Sequence, residues 1–279
     1  MKKDKNIELA RYTTFKMGGM AKLFYTPETE EELLYLVKEK RPQFFLGGGS
    51  NLLINNRSYD MVVNLRLFNK SIKNLGNGIF EVGGSVRLQE LITFINNENY
   101  GGIEYLYSVP GLVGGAVVMN AGRGEKYKKA ISDYIDSVKV LHADRVEWID
   151  KENCGFSYRN SIFKSGKYIV LAVKFSFDFV EKEKSDQLKK DRIELCRRLQ
   201  DNSAPNFGTV FCEANYKIMH FIQKTPLRKC GNISYSTKTT NWMLNHDGLY
   251  KDAKRLIRRT EMLHKILHKK FRAEVVMWD

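Results

Sequence analysis

Short apolar runs alternate with helical patterns through the first 180 residues. FFL at 44–46, MVVNL at 61–65, IFEV at 79–82 and VVMN at 117–120 are β-rich and predict strands. EELLYLVKEK at 31–40 and LQELITFINNENY at 88–100 predict helices, the second because Leu88, Leu91, Ile92 and Ile95 recur at helical spacing. From Ser132 the pattern turns strand-like, in IDSVKVLHA, VEWID and KYIVLAVKFSFDFV, and predicts a sheet closing the first part of the chain. The run EKEKSDQLKKDRIELCRRLQDN at 181–202 holds 13 charged residues of nearly balanced sign. It predicts an exposed helix crossing a boundary, with a second domain beginning near Pro205. The stretch 251–272 carries nine Lys or Arg against Asp252 and Glu261, with Ala253, Leu256, Ile257, Leu263, Ile266 and Leu267 as an apolar stripe, and predicts a basic amphipathic helix. The pattern has no internal repeat.

Glycine interrupts this pattern unevenly. Fourteen of the 21 glycines lie between Gly47 and Gly124, a 78-residue window to which an even spread would give about six. GGGSNLL at 47–53 follows a predicted strand. Gly47, Gly48 and Gly49 with Ser50 and Asn51 let the chain turn and expose successive amide N–H groups, the requirement for cradling a diphosphate. A tight turn with no ligand would use the same residues. The fingerprint GxGxxG is excluded by Leu52, and the Walker lysine is absent. VPGLVGGAVVMNAGRG at 109–124 is a second such segment. Pro110 and Gly111 begin a turn, Gly114, Gly115 and Ala116 permit close backbone approach, and Asn120, Ala121 and Gly122 mark a sharp bend. Two such loops suit a dinucleotide clamped between small α/β units.

At 279 residues, and about 150 residues per domain, the chain holds one large domain or two to three small ones. Apolar residues at 43 % and charged residues at 28 % exclude a disordered, collagen-like or disulfide-scaffold protein. No apolar stretch approaches the roughly 18 residues of a membrane helix, and MKKDKNIELAR has no apolar core behind it, so a cytoplasmic protein is expected. Forty-six Lys and Arg against 32 Asp and Glu leave a net charge of +14. An anionic partner follows, which nucleic acid, an acidic membrane surface or small phosphorylated ligands would each satisfy. Cys154, Cys196, Cys212 and Cys230 form no CxxC pair and are expected as reduced, mostly buried thiols. His264 and His268 stand four apart without an HExxH glutamate, so a solvated face is expected rather than a metal site.

GGGSN, PGLVGGAVVMNAG and FSYRNSIFK at 156–164 occur in the order and spacing of the UDP-N-acetylenolpyruvoylglucosamine reductase family, which the chain resembles from about residue 8 to 275. RYTTFKMGG at 11–19 resembles that family's N-terminal segment. The resemblance implies an α+β protein: a vanillyl-alcohol-oxidase-type FAD-binding half in two subdomains, 1–68 and 69–180, then a smaller α+β substrate domain at 181–279. It implies a reaction in which NADPH reduces FAD, which reduces the enolpyruvyl ether of a UDP-sugar to a lactyl ether in peptidoglycan precursor synthesis. The length resembles the subclass lacking an extra tyrosine-bearing loop. The implied partners are the UDP-sugar and NADPH, with no nucleic acid, no membrane insertion, no metal, and a monomer or weak dimer. Carried over by motif, the cofactor-binding residues are Gly47, Gly48, Gly49, Ser50, Asn51, Leu52, Pro110, Gly111, Gly114, Gly115, Ala116, Asn120, Ala121 and Gly122. Arg159 of YRNS would hold the substrate carboxylate, Glu274 would share that task, and Thr209 of GTVF takes the place of the family's proton-donating serine. Tyr158, Lys238 and Asn241 are the implied substrate-binding residues.

Chemistry supports these residue types independently. Hydride delivery to one carbon of an enol ether leaves charge on its neighbour and the carboxylate, so the site needs a cation and a proton source. An Arg fork fits a carboxylate bidentately, and a threonine hydroxyl can donate like serine, its extra methyl restricting χ1. The chain departs from the family at Leu112, at Cys212, Glu213 and Ala214, at Ile218, Met219 and His220, and at Thr239. Those departures motivate a second reading, a divergent flavin-binding paralogue acting on another nucleotide sugar or having little reductase activity. A third reading, from a different class, has the 251–272 helix binding nucleic acid or an acidic membrane, against the plain one of a surface helix packed on its domain. Trp148, Trp242 and Trp278 are expected to pack, Tyr158 to line the pocket or pack under Arg159, and Glu104 and Tyr105 to position the second loop or face solvent.

Overall fold

The computed structural model describes residues 1–124 and 128–279. The chain forms two compact units, one of Met1–Asp4, Phe24–Gly48 and Met61–Cys196, the other of Lys5–Leu23, Gly49–Asp60 and Arg197–Asp279. The units interleave along the sequence instead of following it. The reason is apolar: Phe15, Met17 and Leu53, early in the chain, share a buried cluster with Phe207, Val210, Phe211 and Val275.

The first unit is built on a five-stranded antiparallel sheet in the order Arg145–Asp150, Ile135–His142, Tyr168–Ser176, Ile79–Gly83, Ile72–Gly76. Helix α1 (Glu30–Tyr35) starts where Thr29 accepts the Glu32 N–H at 3.3 Å, with three glutamates in its first turn, a favourable charge for that end of the dipole. Helix α2 (Leu88–Asn97) buries Leu88, Leu91, Ile92 and Ile95, as their spacing predicts. Each stabilises the unit by about 1.5–3 kcal/mol at full burial. Phe44–Leu46 runs parallel to Val62–Asn64, so the FFL strand delivers Gly47 and Gly48 at its end.

VVMN does not form a strand. Val113–Val118 is a short helix, α3, with Val113, Ala116 and Val117 buried at helical spacing. Packing of that face against the sheet overrides the β preference of valine. The charged run forms helix α4 (Lys182–Leu199), mostly exposed.

The second unit holds a four-stranded antiparallel sheet in the order Asn206–Thr209, Trp242–Asn245, Ile233–Tyr235, Lys229–Cys230. Helix α5 (Tyr216–Lys224) is capped by Asn215, whose Oδ1 accepts the Lys217 and Ile218 amides. Helix α6 (Tyr250–Ile266) buries Ala253, Leu256, Ile257 and Thr260 in its own unit's core and leaves Lys251, Arg255 and Arg258 exposed. The amphipathic pattern there is that of a packed surface helix. His264 is fully buried, contrary to the solvated face expected of it, because it lies on the buried stripe. Its Nδ1 donates to Thr260 O at 2.8 Å and its Nε2 accepts from Asn215 N at 2.9 Å, so the ring joins α6 to the start of α5. All four cysteines are free, with Cys154 and Cys196 buried and Cys212 and Cys230 only partly so.

Candidate active site

In the first unit the two glycine-rich segments meet backbone to backbone. A Cβ on Gly48 would stand 3.2 Å from Gly111 Cα and 3.3 Å from Leu112 N, so the facing backbone would have to give by a few tenths of an ångström to admit it. The carbonyls of Gly47 and Gly48 are turned into the protein, where Arg66 donates to them at 3.0 and 2.8 Å. A Cβ on Gly47 or on exposed Gly115 would meet nothing within 4 Å, so both segments leave bare backbone facing open space. Gly114 N–H bonds to Gly84 O at 2.8 Å and fixes α3 to the sheet.

Arg159 stands on a tight turn, at φ +53, beside the second segment. Its Nη1 donates to Asn120 O at 3.3 Å and its Nη2 to Gly122 O at 2.7 Å. The guanidinium lies 5.6 Å from the ring centroid of Tyr158, which therefore packs with Arg159. Glu104 does not face solvent. Its buried carboxylate accepts from Asn96 Nδ2, Gly102 N and Ser185 Oγ at 2.9–3.2 Å, which ties α2 and α4 to the chain entering the second loop. Tyr105 follows it with its hydroxyl buried, and burial pushes that phenol well above its ordinary range. Trp148 is 37 % exposed with Lys174 over its ring, so it covers a strand instead of filling a core.

In the second unit the remainder of GGGSN is pinned the same way. Gly49, at φ +67, brings its Cα so near the chain that a Cβ would fall 1.9 Å from Tyr12 O. Thr14 N–H donates to Gly49 O at 3.1 Å, Thr14 Oγ1 to Ser50 O at 3.5 Å and Val276 N–H to Asn51 O at 3.0 Å. The carbonyls from Gly47 to Asn51 thus all accept bonds from protein. None of the five amides donates one among the described residues. Backbone donors without a bond inside the protein are of the kind that a diphosphate takes, so these residues fit FAD.

Thr209, Asn241 and Glu274 are also brought together in this unit. Thr209 ends a strand opposite Trp242 and follows Gly208, at φ +77. Asn241, at φ +68, clamps the next residues: its Oδ1 accepts from Phe211 N at 3.1 Å, its Nδ2 donates to Phe211 O at 2.7 Å, and its O accepts from Val210 N at 3.0 Å. Glu274 N–H donates to Val210 O at 2.8 Å, while Glu274 O accepts from Asn51 Nδ2 at 3.0 Å. Asn51 therefore links the glycine loop to Glu274, which lies between the short strands Arg272–Ala273 and Val276–Trp278. Lys238 turns away: its Nζ caps the end of α4 by donating to Arg197 O at 3.2 Å. The residues that depart from the family pattern are absorbed by local packing. Glu213 pairs with Arg272 at 3.1 Å, Ile218 and Met219 enter the core, His220 stacks on Tyr216, and Thr239 donates to Leu199 O at 2.8 Å. Arg66, which holds the carbonyls of Gly47 and Gly48, carries no signal in the sequence, because a side chain bound to a distant carbonyl leaves no local spacing; Thr14 lies within the segment RYTTFKMGG. No cluster of three or more metal-ligating side chains occurs among the described residues.

The fold and this donor set define an α+β flavin-dependent oxidoreductase. A family model described as an FAD binding domain matches residues 21–145. The UDP-N-acetylenolpyruvoylglucosamine reductase of Clostridium novyi (strain NT) is 30 % identical over 282 residues, covering 97 % of this chain and 89 % of that one. The enzyme of the same name from Francisella tularensis is 32 % identical over 250 residues, 86 % of each. The crystal structure of UDP-N-acetylenolpyruvylglucosamine reductase from Thermus caldophilus superposes with a TM-score of 0.82 at 25 % identity over the whole of both chains. The chain belongs to the UDP-N-acetylenolpyruvoylglucosamine reductase family. Its cofactors are FAD and NADPH.

Proposed function

We propose that this protein reduces UDP-N-acetylglucosamine enolpyruvate to UDP-N-acetylmuramate in peptidoglycan precursor synthesis. The observation that carries the reading is the coincidence, within the first unit, of two glycine segments in backbone contact and an arginine fixed on the carbonyls of the second. Gly47 and Gly48, with Pro110–Ala116 beside them, would hold FAD there, and Gly49–Asn51 continue the same run of donors. When bound, FAD supplies hydride acceptance from NADPH and hydride delivery to the enol ether.

This chain's residues handle the charge that results. Addition at the methylene carbon pushes an electron pair toward the neighbouring carbon and its carboxylate, and the Arg159 guanidinium binds that carboxylate bidentately and stabilises the developing charge. The Thr209 hydroxyl delivers the proton to the neighbouring carbon, a task worth on the order of 10²–10⁴ in rate. Glu274 can share the stabilisation only in its protonated form, which alone donates a hydrogen bond. A net charge of +14 suits three polyanionic ligands. The reading assigns 1–68 and 69–180 to cofactor binding and 181–279 to substrate, and makes the protein a cytoplasmic monomer or weak dimer; fractionation and sedimentation check the last two. Among the described residues no helix is long and apolar enough to cross a membrane.

The test is NADPH oxidation by the flavin-loaded protein. It is expected to require UDP-N-acetylglucosamine enolpyruvate and to fall to a small residual rate in Arg159→Ala. Absence of substrate-dependent oxidation in the wild-type protein would end the proposal.

A further inference from the structure

We propose that Asn120 and Ser161 are positioning residues for Arg159, latching the turn that carries it to the segment whose carbonyls receive its guanidinium. The inference rests on the reading of Arg159 as the carboxylate-binding cation.

Asn120 closes α3. Its N–H bonds to Val117 O at 3.0 Å and the next amide, of Ala121, returns to Ala116 O at 2.8 Å, the paired bonds of a Schellman finish, with Asn120 itself at φ +43. Asparagine tolerates that left-handed backbone better than other residues with a side chain. Its own side chain is 5 % exposed and bound to backbone at both ends: Nδ2 donates to Ser157 O at 2.9 Å and Oδ1 accepts from Ser132 N at 3.3 Å. A side chain held so completely by protein serves the protein. The cofactor-binding role expected of Asn120 gives way to this one.

Ser157 is where the Arg159 turn begins. Ser157 and Asn160 exchange two N–H···O bonds of 3.1 Å, with Arg159 between them. Ser161, 4 % exposed, closes the turn by donating its Oγ to Val118 O at 2.7 Å. The turn is thus tied at its entry to Asn120 and at its exit to Val118, two residues apart. From inside it, the arginine reaches to Asn120 O and Gly122 O. Asn120 holds the base of the turn through its amide and the tip of the arginine through its carbonyl. Breaking either tie lets the Arg159 backbone move relative to those carbonyls, and a shift of about 1 Å in a charge-stabilising group can cost on the order of 10²-fold in rate.

The experiment is anaerobic stopped-flow on the flavin-loaded full-length protein, with Asn120→Asp, Ser161→Ala, Arg159→Ala and the Asn120→Asp/Arg159→Ala double variant. Aspartate keeps the tolerance for positive φ and the acceptor to Ser132 N–H, and replaces the donor to Ser157 by a charged oxygen that the Ser157 carbonyl repels. Substrate-driven reoxidation is expected to slow by about 10- to 100-fold in both Asn120→Asp and Ser161→Ala. The loss should be confined to that half-reaction, and the double variant should be no slower than Arg159→Ala, because Asn120 acts through the arginine. Loss of flavin from Asn120→Asp, or a double variant slower by the product of the two effects, overturns the proposal. Should Asn120→Asp fail to fold, Ser161→Ala carries the same expectation. Arg159→Ala at a small residual rate with both latch variants at wild-type rate removes the positioning alone. Arg159→Ala at wild-type rate removes the reading of Arg159 beneath it.

Discussion

Replacing Gly115 by alanine separates a glycine kept for a ligand from one kept for the fold. Its φ is not positive, and an alanine Cβ would meet no atom within 4 Å. Nothing in the protein alone therefore requires glycine at this helical position. Removing glycine's freedom in the unfolded chain should stabilise the flavin-free protein by about 0.4–1 kcal/mol. With an unfolding entropy of about 2.1 cal/mol/K per residue over 279 residues, that raises its Tm by about 1–2 °C. The same methyl would stand where a cofactor must approach bare backbone. If it weakens FAD binding tenfold, the stabilisation by excess FAD shrinks by about 1.4 kcal/mol. The flavin-saturated Tm should then lie at or below that of the wild type, although the flavin-free Tm lies above it. Thermal unfolding of deflavinated protein, with and without excess FAD, measures both, and Gly47→Ala should behave alike because its Cβ is equally unobstructed. A variant whose two Tm values rise together, with unchanged FAD affinity, would refute the assignment of this segment to the cofactor.

Gly49→Ala should do the opposite of Gly115→Ala: at φ +67, with a Cβ 1.9 Å from Tyr12 O, it is expected to destabilise the flavin-free protein by at least about 2 kcal/mol, read from urea unfolding. Thr209→Val keeps the branched shape and removes the hydroxyl, so substrate-driven reoxidation should fall by about 10²–10⁴ while Thr209→Ser retains it; equal rates in the two would dismiss Thr209 as proton donor. Asp201 is subject to a burial effect that raises its pKa, but hydrogen bonds from Ser203 and Ser236 outweigh it and hold the carboxyl below its ordinary value. A depressed folded-state pKa gives stability that is present above the unfolded value of about 3.9 and lost as pH falls through the folded one. The stability gap between wild type and Asp201→Asn should therefore be full at pH 7 and narrow in acid below about pH 4, and a gap independent of pH would remove the carboxylate from the explanation.

The sequence by itself determined what depends on near neighbours. The helical faces of α2 and α6, the strands FFL and IFEV and the two glycine segments were legible because hydrophobic period and backbone freedom are local properties. Arg159, the proposed carboxylate-binding cation, was singled out by a short motif. Tertiary structure decided the rest. Valines at 113, 117 and 118 lie in a helix because the sheet beneath them rewards a helical face more than a strand. His264 is interior because its stripe happens to be the one that packs. Residues 5–23 and 49–60 join the C-terminal part because apolar side chains find partners without regard to distance along the chain. The same holds for function: the carbonyls of GGGSN are held by Arg66, Thr14 and Val276, and such long-range hydrogen bonds exist only once the chain has folded.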